Sequence, residues 1–156
     1  EVTLTLAGDG DADSQARLER QLAQSDPDGR VVTRLGHVPH GQLPAVLADA
    51  DLFVFASSCE NMPNTVVEAM AVGLPIACSN RGPMPEVLAD GGVYFDPEDE
   101  TSIADAIERL ITDAGLRARC AERARELASA YSWARCARET FEFLQRTWQR
   151  VQAGSA

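Results

Sequence analysis

Two glutamates, Glu60 and Glu68, flank the seven residues Asn61-Met62-Pro63-Asn64-Thr65-Val66-Val67. Ionised carboxylates are pure hydrogen-bond acceptors and suit the recognition of hydroxyl groups. Pro63 fits the opening of a helix, because the N–H it lacks has no partner at that position anyway. The amides that follow, those of Asn64 and Thr65, are then expected to point out of the helix end, where unpaired N–H groups and the helix dipole favour an anion. Glu60 falls in the loop ahead of the helix and Glu68 more than a turn into it, so two carboxylates flank one anion site. A ligand carrying both hydroxyls and phosphates would use all of these groups.

The flanking residues position this stretch. Leu52-Phe53-Val54-Phe55-Ala56 is short, aromatic and β-branched, and reads as a strand buried on both faces. Gly73 stands where a helix end needs a left-handed residue, and Pro75 forbids continuation, which predicts a helix over 64–72. A helix that opens at the carboxyl end of a buried strand places its N-terminus in the crevice where open α/β sheets bind ligands.

The rest of the chain alternates in the same way. Val2–Ala7 reads as a strand ended by Gly8-Asp9-Gly10, followed by a helix over 13–24 whose start is favoured by the charge of Asp9, Asp11 and Asp13. The alternating aspartates are not a calcium loop, since Ser14 and Arg20 stand where Gly and Glu are needed. Arg30–Leu35 is a second strand, and Gly36-His37-Val38-Pro39-His40-Gly41 its loop. The two histidines lie in a turn with no third ligand nearby, which argues against a metal. A helix over 42–49 leads to the opening motif, and Pro75–Ser79 forms a further strand. The next turn carries Arg81, read as a solvated loop arginine with phosphate or acceptor contact as the alternative, and leads into a short helix. Gly91–Phe95 is the last strand. From Thr101 the pattern is helical: one helix stopped by Gly115, a second over Leu116–Ala130, and a third capped by Ser132. Trp133, Phe141, Leu144 and Trp148 of the third helix read as packing residues, and 151–156 as a disordered tail. Strands alternating with helices predict a doubly wound parallel α/β sheet.

Composition narrows the function classes. The 156 residues predict one domain over 1–150, and a hydrophobic fraction of 45% suits a soluble globular fold. A formal net charge of −10 argues against nucleic acid or a broad anionic membrane face as partner. No apolar run reaches membrane-spanning length, and the start lacks a basic leader region, so neither a spanning segment nor a signal is expected. Four cysteines without a C-x-x-C pair point to thiols: Cys78, Cys120 and Cys136 read as buried and free, which favours a reducing cytoplasm.

The ordered motifs carry a resemblance. From Leu6-Ala7-Gly8-Asp9-Gly10 through Arg34-Leu35-Gly36, Ala50–Val54 and the Glu60/Glu68 pair to Tyr131-Ser132-Trp133, the chain resembles the donor-binding domain of retaining GT-B glycosyltransferases of the group 1 or family 4 type. That large family has an E-x7-E motif and includes sucrose and glycogen synthases and many surface-polysaccharide enzymes. The resemblance implies a Rossmann-like sheet and transfer of a sugar from a UDP- or GDP-sugar to a glycan or lipid-linked acceptor, with retention, in surface polysaccharide or lipopolysaccharide synthesis. It implies a catalytic place for Glu60 at the hydroxyls of the transferred sugar, and ribose hydroxyls for Glu68. Phosphate falls to the Asn64 and Thr65 amides with Thr65 Oγ, the base to the loop of His37 and Val38, and Met62 belongs to the same substrate site. Gly8 allows close backbone approach. No metal or other cofactor is expected, because amides, a helix N-terminus and basic side chains stabilise the departing diphosphate.

Glu60-Asn61-Met62-Pro63 stands where the family most often has E-G-F-G, a departure that bears on the sugar contacts and is similar to bacterial lipopolysaccharide and O-antigen transferases. The resemblance also implies a strand and helix ahead of Val2, the strand lying at the sheet centre. The sheet is therefore expected to carry a central gap, filled by an upstream segment or by a swapped or edge-paired copy. The loop missing with that strand would supply an Arg and a Lys for the diphosphate, and a further N-terminal domain the acceptor site. The piece alone is thus expected to be inactive, and the whole protein cytoplasmic or peripheral at the inner face of the membrane. Rival readings are a non-catalytic nucleotide-binding module, a GT-B sugar-nucleotide epimerase and a purely structural domain. A Rossmann oxidoreductase is disfavoured because Asp13 replaces the third glycine of G-x-G-x-x-G.

Overall fold

The computed structural model describes residues 2–154. Five strands and seven α-helices alternate as β1 (Leu4–Ala7), α1 (Ala12–Ser25), β2 (Val32–Gly36), α2 (Leu43–Ala48), β3 (Phe53–Phe55), α3 (Asn64–Val72), β4 (Ile76–Ser79), α4 (Met84–Leu88), β5 (Gly92–Phe95), α5 (Glu100–Thr112), α6 (Ala114–Ala128) and α7 (Trp133–Gly154), with a 3₁₀ turn at His40–Gln42 before α2. All strand pairs among the described residues are parallel, so the parallel α/β class expected from the alternation holds. The described residues group into two compact units, divided between Val46 and Leu47. The strands likewise fall into two ladders, β1-β2 and β3-β4-β5.

In the first unit β1 pairs with β2 in the register Leu4↔Val32 and Leu6↔Arg34. The start of α1 is fixed by a side chain as well as by charge: Asp11 accepts a hydrogen bond from Ser14 N at 2.7 Å as its N-cap. The turn out of α1 is closed by Asp26, whose carboxylate accepts from the amides of Arg30 (2.9 Å), Val31 (3.0 Å) and Val32 (2.8 Å). The Val32 bond above all, with those of Arg30 and Val31, holds the Asp26 carboxyl below the usual aspartate range against some loss of hydration. A group depressed in the folded state contributes stability that is present above its unfolded pKa and lost as pH falls through its folded one. Denaturation of the wild-type chain is therefore expected to show an acid limb below about pH 4 that Asp26→Asn flattens. An unchanged limb in the variant would show that the three amides do not depend on the charge.

In the second unit β4 is the inner strand, aligned as Phe53↔Ile76 and Ile76↔Gly92. All four of its residues are buried. Phe53, Val54 and Phe55 of β3 are only half-buried, in contrast to the strand buried on both faces that their composition predicts. The reason is position: β3 pairs with β4 alone and forms an edge of its ladder. Side chains alternate across a strand, so Ala77 joins Val93, Phe95, Ala106, Leu110 and Cys120 in one cluster, while Ile76 and Cys78 face the opposite side. Met70 of α3 and Met84 and Leu88 of α4 are also fully buried, each stabilising the fold by about 2 kcal/mol.

The helix junctions differ from the sequence reading at one residue. Asp113, rather than Gly115, separates α5 from α6: its N–H donates to Arg109 O at 3.0 Å and its side chain accepts from Leu116 N at 2.8 Å. One residue thus ends one helix and starts the next, and Gly115 lies within the first turn of α6. Ser132 does cap α7, accepting from Arg135 N at 3.2 Å. The helix then runs to Gly154, so residues 151–154 are helical where a disordered tail is expected, because nothing between Trp133 and Val151 breaks the helical pattern; Ser155 and Ala156 lie outside the described residues. Trp133, Phe141, Leu144 and Trp148 are exposed rather than packed. Cys136 shares their helix and is exposed too, whereas Cys78 and Cys120 are buried as expected. Burial pushes the Cys78 thiol up to about 12, so it stays protonated and inert.

Candidate functional site

In the second unit three parallel strands end at one edge, and the loops that leave that edge carry the polar residues of interest. The loop after β3 holds Glu60, Met62 and Pro63, the loop after β4 holds Asn80, Arg81 and Gly82, and Asp96 follows β5 directly. Glu60 is half-buried, and Met62 is 40% exposed. Helix α3 begins at Asn64, as predicted, and ends on Gly73 in the left-handed region, with φ at 85°. Glu68 is half-buried on α3 with its Oε2 atom withdrawn from solvent.

The helix opening departs from the sequence expectation. Pro63 is the N-cap rather than the first helical residue, with φ −80° and ψ 74°. Those angles are those of an inverse γ-turn, and its hydrogen bond is present: Asn64 N donates to Met62 O at 2.9 Å. Val66 and Val67 both donate to Pro63 O, at 3.0 and 3.2 Å. Among the first-turn amides the Asn64 N–H is thus spent inside the loop, and Thr65 supplies the outward donor together with its exposed hydroxyl. Proline causes this, since its fixed φ sits in the γ-turn well.

Two arginines make contacts around these elements that the sequence reading did not foresee. Arg81 is an exposed loop arginine, as expected, but one with a partner: its Nη2 donates to both carboxylate oxygens of Asp96 at 3.0 Å. Arg125 reaches from α6 to the far end of α3, donating to Val72 O at 3.3 Å. It complements the negative end of the helix dipole and holds from behind the helix that carries Glu68. Neither contact is visible in spacing, because the partners lie fifteen and fifty-three residues away.

The first unit holds Gly8, His37 and Val38. At the carboxyl ends of β1 and β2 an open cavity of about 350 Å³ is lined by residues that include Gly8, Asp9, Gln15, Arg34 and Gly36. Gly8 and Gly36 have φ at 136° and 64°, and a side chain at either would project into open space, so both backbones are approachable. The Gln15 amide bridges the cavity wall, donating to Asp9 and accepting from Arg34. His37 is exposed and Val38 half-buried, and neither lines the cavity.

A family model described as glycosyl transferases group 1 matches residues 1–127. The chain belongs to this family. Among group 1 glycosyltransferases it is 36% identical over 106 residues to the O-antigen chain mannosyltransferase B of Escherichia coli, covering 68% of this chain and 28% of that protein. It is 34% identical over 139 residues to the glycogen synthase of Mycobacterium tuberculosis, covering 85% and 32%. The chain thus spans about a third of the length of these relatives. Among solved structures it is similar to Anabaena Alr3699/HepE in complex with UDP-glucose, with TM-score 0.82 and 26% identity over 93% of this chain and 41% of that one. Sucrose-phosphate synthase from Thermosynechococcus elongatus shares the fold, with TM-score 0.81 at 24% identity over 95% of this chain and 39% of that one.

Proposed function

We propose that this chain is the part of a retaining glycosyltransferase that binds a nucleotide-diphosphate sugar. The observation that carries the reading is the placement of Glu60 and Glu68 on either side of the α3 N-terminus, at the carboxyl edge of a parallel ladder. Glu60, with Met62 beside it, takes the hydroxyls of the transferred sugar, and Glu68 the ribose hydroxyls. The Thr65 N–H and hydroxyl meet phosphate, with the Asn64 side chain beside them. Gly8 and the His37–Val38 loop serve the nucleotide end. The departing diphosphate is stabilised by amides, a helix N-terminus and basic side chains, a scheme that assigns no metal. Binding of UDP-glucose by the Anabaena neighbour supports a UDP-sugar, and the E. coli mannosyltransferase a glycan or lipid-linked acceptor in surface polysaccharide synthesis. We assign that acceptor to a further domain and the activity to the whole protein, cytoplasmic or peripheral at the inner membrane face.

Calorimetric titration of the chain with UDP, GDP and ADP, with and without EDTA, tests this. Saturable binding of one diphosphate, unchanged by EDTA, is the expected result and names the base. A correctly folded chain that binds none of the three would overturn the reading, while turnover of a UDP-sugar without acceptor would favour an epimerase.

A further inference from the structure

We propose that the Arg81–Asp96 ion pair is a clamp that fixes the loop carrying Glu60, which makes Arg81 a positioning residue for sugar recognition. The inference rests, for its functional consequence, on the donor-binding reading above; the mechanical part stands on geometry alone. The Glu60 loop, 56–63, has modest internal support: Ser57 Oγ donates to Cys59 O at 3.3 Å, and the γ-turn closes its far end. What it lies against therefore matters. The turn after β4 comes near it at Gly82, where an added Cβ would lie 3.9 Å from the Glu60 carbonyl oxygen.

That turn is itself tied down at several points. Arg81 N donates to the buried Ser79 Oγ at 3.1 Å, and Asn80 N to Phe95 O at 2.9 Å. The Arg81 guanidinium then crosses to Asp96, with both Nη2 contacts at 3.0 Å. Asp96 is anchored in turn, for its carboxylate accepts from Glu98 N at 3.1 Å and its own N–H donates to Ser102 Oγ at 3.1 Å. Hydrogen bonds thus run from α5 through Asp96 to Arg81, and Gly82 next to it lies near the Glu60 backbone. Gly82 has φ at 52°, a left-handed turn that lets the chain bring Arg81 to β5 while its own backbone faces Glu60. The pair is part-exposed, at 47% and 40% of the two side chains, so its direct contribution to stability is small and its effect lies in geometry.

The exposed Cys59, next to Glu60, offers a local probe. A nitroxide is attached to Cys59 in a Cys136→Ser background, where Cys78 and Cys120 are buried and do not react. Arg81→Gln and Asp96→Asn are expected to narrow the spectrum of the label as the loop gains motion, and Arg81→Lys to restore most of the wild-type width. In the unlabelled chain, Arg81→Gln is expected to weaken UDP-glucose roughly fivefold while leaving UDP within about twofold, so that the ratio of the two affinities falls. An unchanged spectrum in Arg81→Gln overturns the clamp. An equal loss for UDP and UDP-glucose also overturns it, since that would mark Arg81 as a phosphate contact. If the wild-type chain binds neither ligand, the donor reading fails, and the spectrum alone decides the clamp.

Discussion

Glu68→Gln is expected to weaken UDP binding about 10- to 100-fold and to abolish the preference of the chain for UDP over dUDP. Glutamine keeps the length and volume of glutamate but turns one ionised acceptor into a neutral amide. Hydrogen bonds to charged groups are worth about 1.5–3 kcal/mol, and each 1.4 kcal/mol is a tenfold change in affinity. The effect is large here because Glu68 is half-buried, with Oε2 withdrawn from water that would otherwise substitute for the ligand. Comparison with dUDP isolates the ribose contact, because that analogue lacks one of the hydroxyls Glu68 is assigned. A variant that loses UDP and dUDP equally would move Glu68 out of the ribose site, and one that binds UDP like wild type would remove it from the ligand.

Gly92→Ala is expected to destabilise the unit from Leu47 onward by about 3 kcal/mol, a drop in Tm of roughly 10 °C. An added Cβ at Gly92 would lie 2.6 Å from Ile76 O and 2.6 Å from Leu88 Cδ2. Neither neighbour has room to retreat. Ile76 O belongs to the buried inner strand, and Leu88 is fully enclosed. The strand must shift or the leucine must leave its rotamer, and both disturb the β4–β5 ladder beneath Asp96. Thermal unfolding of the purified variant measures this directly. A Tm within two degrees of wild type would mean that the strands can separate without cost. Gly8→Ala provides the contrast: it meets no clash, and its φ of 136° makes backbone strain its cost.

Residues whose constraints are local were legible in the sequence. Pro63, Gly73 and Pro75 act on their own backbone, so the span of α3 was readable to the residue, and Ser132 marked the start of α7 for the same reason. The alternation of strand and helix, and the place of Glu60 and Glu68 around one helix end, followed from short-range pattern as well. Even so, Pro63 shows where local reading stops. Its identity announced a helix start, but whether its fixed φ would open the helix or fold a γ-turn depended on ψ, and the turn consumed the Asn64 amide. Burial of β3 was misread because a hydrophobic run does not say how many neighbours it will have.

What the sequence determined by itself was therefore the parallel α/β class, the order of its elements and the chemistry available at the end of α3. Only the tertiary structure decided which groups serve that end. It paired Arg81 with Asp96, brought Gly82 near the Glu60 backbone and left Thr65 as the outward donor, while Arg125 took the opposite end of α3. The reason is physical: periodicity and backbone preference act over a few residues, whereas these contacts join residues that become neighbours only when separate strands align at one edge.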